Sequence, residues 1–267
     1  MAKKLYERDI YTISDTDFLI SKTINEYDIR SAGYNLIIYF KLLPKSMIEY
    51  LSGLSKSDRH VQIGIFERND REFAKKLTKS FADIRKIFFD ENNLDDDNII
   101  SIKKDAIFTI GRECQKTKFN NIEFVKKNKY SSFHKFDNIE MYYRSSKNVL
   151  DIKGIRDELL YQHEMYFISF LKRVFKLIEF NDQKTFISFM KRFIMDYKNR
   201  NLDIRYYREL SPESLYVINE DIVGKSDYFK AGIENVSYDM INDINISYNY
   251  KKYVLPIMQR FYFRDRW

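Results

Sequence analysis

IISIKKDAIFTIG, residues 99–111, carries two short isoleucine-rich runs, Ile99 to Ile102 and Ala106 to Ile110, with KKDA between them or straddling their junction. β-branched runs of this length, bounded by a polar break, pair as strands. The stretch is therefore expected to fold as a β-hairpin. Asp is common in tight turns, which puts Asp105 at the hairpin tip. Upstream, YDIRSAGYN at 27–35 sets Asp28 ahead of the strand-like run IRSAGYNLIIYF. With that strand beside the hairpin, Asp28 and Asp105 face one another. Downstream, IEMYYR at 139–144 and VLDIKG at 149–154 flank SSKN, the pattern of a second hairpin.

Between the two acids the period changes. From Asp70 to Glu91, Phe73, Leu77, Phe81, Ile84 and Phe88 recur at spacings of four, four, three and four, the stripe of an amphipathic helix. Lys75, Lys76, Lys79, Arg85 and Lys86 fall on its other face, which is either solvated or turned towards phosphate. Beyond Asp157, Leu160, Tyr166, Phe167, Phe170, Leu171, Val174, Phe175 and Ile178 recur at helical steps, and Phe186, Met190, Phe193, Ile194 and Tyr197 mark another helix. The fold expected is α+β. An antiparallel sheet region spans 1–154 with a helical insertion at about 45–97, and a mainly helical region spans 155–267.

Lys and Arg outnumber Asp and Glu by 46 to 39, a net charge of +7 that suits a polyanionic partner. The single cysteine, Cys114, excludes an intrachain disulfide and a cysteine-based zinc site. His60, His134 and His163 show no metal-ligand spacing. No run of about 18 apolar residues is present, and MAKKLYERDI lacks a signal-type apolar segment. A cytoplasmic protein without membrane attachment is expected. No Gly-rich phosphate loop, Ser-His-Asp order or dinucleotide fingerprint supports a hydrolase or dehydrogenase.

Two facing carboxylates suit phosphoryl transfer, in which divalent cations about 3.5–4 Å apart stabilise the attacking and leaving oxygens. YDIRSAGYN, with Asp28 and Ser31 three residues apart, resembles the first palm motif of template-directed nucleic-acid polymerases, and KKDA resembles the second, an Asp at a hairpin turn. KNKY, with Lys127, Lys129 and Tyr130, is similar to the Lys-x-Tyr element that contacts the primer strand in family-B-type enzymes. Lys153 and Gly154 match a later Lys-Gly pair, and Tyr248, Tyr250, Tyr253 and Pro256 resemble the end of a thumb.

The resemblance implies a reduced, phage-like palm and thumb. Asp28 and Asp105 would hold Mg²⁺ or Mn²⁺ as catalytic ligands. Arg71, Lys75, Lys103, Lys104 and Ser31 would touch nucleotide, and Lys127, Lys129, Tyr130, Lys153 and Gly154 would touch DNA or RNA. A larger replication or transcription complex is the implied partner, and proofreading is not expected. The sequence departs from the family pattern at several places. Lys103 and Lys104 precede the second acid, Gly33 stands where an aromatic screens the sugar with Tyr34 one place on, and the fingers signature is missing. Two plainer readings remain open. Asp28 and Asp105 also suit cap and turn positions, and a polymerase-shaped chain can bind nucleic acid without catalysis.

Overall fold

A computed structural model describes residues 4–13, 19–136, 139–154, 168–199, 201–202, 216–218 and 221–223. The chain divides into two compact units, Met1–Asp15 with Lys22–Tyr130, and Thr16–Ser21 with Ser131–Trp267. It is an α+β protein, and among the described residues the strand pairings are all antiparallel.

Among the described residues the first unit holds six strands, β1 (Ile10–Thr12), β2 (Ile24–Ile29), β3 (Ile99–Lys103), β4 (Ala106–Ile110), β5 (Lys118–Phe119) and β6 (Ile122–Tyr130), in the order β1-β3-β4-β2-β6-β5. Between β2 and β3 run four helices, α1 (Ala32–Tyr39), α2 (Lys45–Ser52), α3 (Lys56–Asn69) and α4 (Arg71–Asn92). Tyr27 and Ile29 of β2, Ile107 of β4 and Phe124 of β6 are buried in one cluster with Leu36 and Ile37 of α1 and with Phe73, Leu77, Phe81, Ile84 and Phe88 of α4. Each such side chain contributes roughly 1.5–3 kcal/mol when withdrawn from water. The helices therefore cover one face of the sheet. α4 begins where Asp70 Oδ1 accepts the N–H groups of Glu72 and Phe73 at 2.8 and 3.0 Å. It ends at Asn93, which takes a left-handed φ of 50°.

Two sequence expectations change here. The strand that carries Asp28 is INEYDI, which ends at Ile29, and the apolar run after it is α1. A short apolar run does not separate buried helix from buried strand by itself, and burial of Ala32, Leu36 and Ile37 marks the helical face. Arg85 leaves the polar face of α4 altogether, since it is fully buried.

In the second unit β7 (Ser132–Phe136), β8 (Ile139–Arg144) and β9 (Val149–Lys153) form a three-stranded sheet, with α5 (Ser169–Glu179) and α6 (Gln183–Lys198) following. β10 (Tyr216–Ile218) pairs with β11 (Asp221–Val223). Ile139, Met141 and Tyr143 alternate along β8 and share a core with Leu150, Ile152, Phe175 and Met190. This sheet shares its core with α5 and α6. Tyr142 and Tyr143 are both buried. Tyr142 lies against Phe133 and its hydroxyl donates to Glu140, while Tyr143 stacks on Phe175. Leu19 exchanges backbone hydrogen bonds with Phe133 at 2.8 and 2.9 Å.

Asp15, Asp17, Leu160, His163, Tyr166, Phe167, Tyr206, Tyr207, Tyr248, Tyr250, Tyr253 and Pro256 lie outside the described residues. Among the described residues no helix is long and apolar enough to cross a membrane.

Candidate functional site

Asp28 occupies the next-to-last position of β2, in register with Ala106 of β4 and Val125 of β6. Side chains alternate along a strand. Tyr27 and Ile29 enter the helix-side core, so Glu26 and Asp28 face the opposite side of the sheet. Asp105 follows Lys104 in the two-residue turn between β3 and β4, at the β2 end that carries Asp28. The backbone ties the end of β2 to the turn, because the N–H of Ile29 donates to the Asp105 carbonyl at 3.0 Å. Burial pushes the Asp105 carboxyl above the usual carboxylate range, and the negative charge of Asp28 pushes it further. Lys104 and His60 oppose that shift.

The hairpin tip is anchored from behind. Lys104 has a φ of 51°, its N–H donates to the Asp9 carbonyl at 2.6 Å, and its carbonyl accepts Arg85 Nη1 at 2.6 Å. Arg85 also donates from Nε to the Tyr6 carbonyl and from Nη2 to Asp9 Oδ1, both at 2.9 Å. A planar guanidinium with donors on three sides can hold three acceptors at once. One buried side chain of α4 thus fixes both the N-terminal segment and the turn that presents Asp105.

The ammonium groups of the two KKDA lysines have partners on other elements. Lys103 Nζ donates to Thr12 Oγ1 at 3.2 Å. Lys104 Nζ lies 3.4 Å from Glu67 of α3 and over the Phe81 ring. Lys127 reaches Asp28 instead, with Nζ 3.4 Å from Oδ2. The β6 register runs from Asn128 opposite Glu26 to Lys126 opposite Tyr27, so Lys127 is the extra residue of a β-bulge.

The remaining predicted residues scatter. Ser31 stands at the start of α1 with a left-handed φ of 47°, and its carbonyl accepts the Asn35 N–H. Tyr34 stacks under the Arg59 guanidinium at 4.0 Å. Arg71 and Lys75 are exposed at the start of α4. Each lies ten residues, about 15 Å of helix, before Phe81 or Arg85, the α4 side chains that touch the hairpin tip. Lys129 is exposed, whereas Tyr130 is buried and its hydroxyl donates to Glu26 Oε2 at 2.8 Å. Lys153 and Gly154 end β9 in the second unit, Gly154 with a φ of 92° that favours glycine.

Sequence reading missed Arg85 and the pairing of Lys127 with Asp28. Arg85 had a signal, since it sits four residues after Phe81 and three before Phe88, inside the apolar stripe. The bulge that directs Lys127 had none.

Among the described residues no group of three or more His, Cys, Asp or Glu side chains is arranged to hold a metal ion. Asp28 and Asp105 are nonetheless hard oxygen donors whose charges repel. Such a pair fits a hard divalent cation that keeps much of its water. The family model described as Bacteriophage PBS1 gene 130 protein matches residues 1–261 of the chain. No curated protein matches it.

Proposed function

The chain belongs to the Bacteriophage PBS1 gene 130 protein family, and we propose that this phage protein is a minimal nucleotidyltransferase acting on a nucleic-acid strand. The observation that carries the reading is the proximity of Asp28, near the end of the central strand β2, to Asp105, in the turn of the neighbouring β3–β4 hairpin. The sheet order β3-β4-β2-β6, with a carboxylate on the central strand and another at the neighbouring hairpin tip, is what a polymerase palm needs.

Asp28 and Asp105 would hold Mg²⁺ or Mn²⁺, which supplies charge stabilisation to a transferring phosphoryl group. Ser31 and the first N–H groups of α1, just beyond Asp28, offer donors to a triphosphate. Lys103 and Lys104 are engaged with Thr12 and Glu67, so no nucleotide contact is assigned to them. Lys127 and Lys129 are exposed cations on the strand beside Asp28 and suit a phosphate backbone. The helices α5 and α6, within the region 155–267, would take the part of a thumb, and a reducing cell interior suits a chain whose one cysteine is free.

A second reading, a polymerase-shaped protein that binds nucleic acid or a replication or transcription complex without catalysis, draws its support from the ion pair of Lys127 with Asp28. Primer extension with Mg²⁺ or Mn²⁺ on DNA and RNA templates separates the two. Extension is expected from the intact chain, with a loss of at least about a thousandfold in Asp28→Ala and Asp105→Ala, because removing a ligand removes several kcal/mol of charge stabilisation. Absence of extension under every condition, with oligonucleotide affinity retained in Asp105→Asn, establishes the binding protein instead.

A further inference from the structure

Lys127 serves two opposite charges in the account above, and it cannot serve both at once. Its Nζ lies 3.4 Å from Asp28 Oδ2, with half of the lysine side chain and 30% of the aspartate side chain exposed. An ion pair this open to water contributes about 0–1 kcal/mol. A divalent cation shared by Asp28 and Asp105 gains far more from the same carboxylate, because Asp105 carries a charge that Lys127 does not neutralise. The cation therefore displaces the ammonium. Lys127 is the bulged residue of β6, so its backbone is not matched to a partner on β2, and its long side chain is free to turn.

We propose that Lys127 is a switched cation: it neutralises Asp28 until a divalent cation takes that carboxylate, and the released ammonium then binds a phosphate of the nucleic-acid strand. The proposal rests on the reading of Asp28 and Asp105 as a cation site. Cation and polyanion both favour the released lysine. Each therefore raises the affinity of the other, by the same factor in both directions. The strand is held firmly only once the carboxylates are loaded.

The test uses the full chain at constant ionic strength, with Mn²⁺ binding read by electron paramagnetic resonance. Affinity for a fluorescent single-stranded oligothymidylate is read with and without Mn²⁺. Wild type is expected to bind the oligonucleotide about fivefold more tightly with Mn²⁺, the weight of one lysine–phosphate contact. Asp28→Asn, which holds neither the cation nor the lysine firmly, is expected to bind at the tighter level without Mn²⁺ and to respond to it little. This variant also subtracts any effect of Mn²⁺ on the oligonucleotide itself. Lys127→Gln is expected to bind Mn²⁺ more tightly, by about tenfold for a unit charge removed from the site, and to lose the oligonucleotide response. Mn²⁺ bound to wild type with no change in oligonucleotide affinity, or a Lys127→Gln variant that responds as wild type does, overturns the switch and leaves the cation site standing. No Mn²⁺ bound to wild type or Lys127→Gln overturns both.

Discussion

Asp105 is held in a state that its own charge resists. Burial and the neighbouring Asp28 raise its pKa, so above that raised value the folded protein carries an ionised group less favourable than in the unfolded chain. As pH falls through the raised value, the folded state takes up the proton first and the cost disappears. Asp105→Asn is therefore expected to raise the melting temperature at pH 7 by a few degrees, with the gain shrinking towards about pH 4. Thermal unfolding across that range checks it, and a gain independent of pH refutes the electrostatic account. The position of this acid was legible, because an Asp between two isoleucine-rich runs has few places to go but the turn. Where Lys103 and Lys104 point was not. Thr12, Glu67 and Phe81, which receive them, come from three other elements, and no local pattern encodes such partners.

α4 shows how one helix does two jobs. Its apolar stripe supplies the core, and Arg85, inside the same stripe, supplies three donors to the back of the hairpin. Arg85→Lys keeps the charge but loses the fork, leaving the Tyr6 and Lys104 carbonyls without their guanidinium donors. It is expected to cost about 2–3 kcal/mol in urea unfolding. It should also speed hydrogen exchange at the Ile29 amide, whose acceptor is the Asp105 carbonyl. Unchanged stability would falsify the anchoring role. The extent of α4 could be read from spacing alone, since five apolar side chains recur within twenty-two residues. α1 could not, because eight residues rich in apolar side chains look the same as a buried strand until the sheet and α4 define which of them are inside.

Across the whole molecule, α+β class and the order of strands and helices followed from period changes, while the partition into units did not. It depends on Leu19 to Ser21 leaving the first unit to join the second. Composition gives no sign of this, because one short pairing is enough to recruit the segment. Ser21 and Ser132, hydrogen-bonded at 3.4 Å, are 111 residues apart in sequence. Closing such a loop from an open chain costs about 4 kcal/mol of entropy. The first unit removes most of that cost, since Ile24 pairs with Tyr130 and brings both crossing points together. In refolding followed by pulsed hydrogen exchange, protection at Ile24 and Tyr130 is expected to precede protection at Phe133, and the reverse order refutes this sequence. The same logic holds during synthesis. Leu19 leaves the ribosome long before Phe133, so the strand pairing that completes the second unit waits for the first to close, and folding has a direction set by topology.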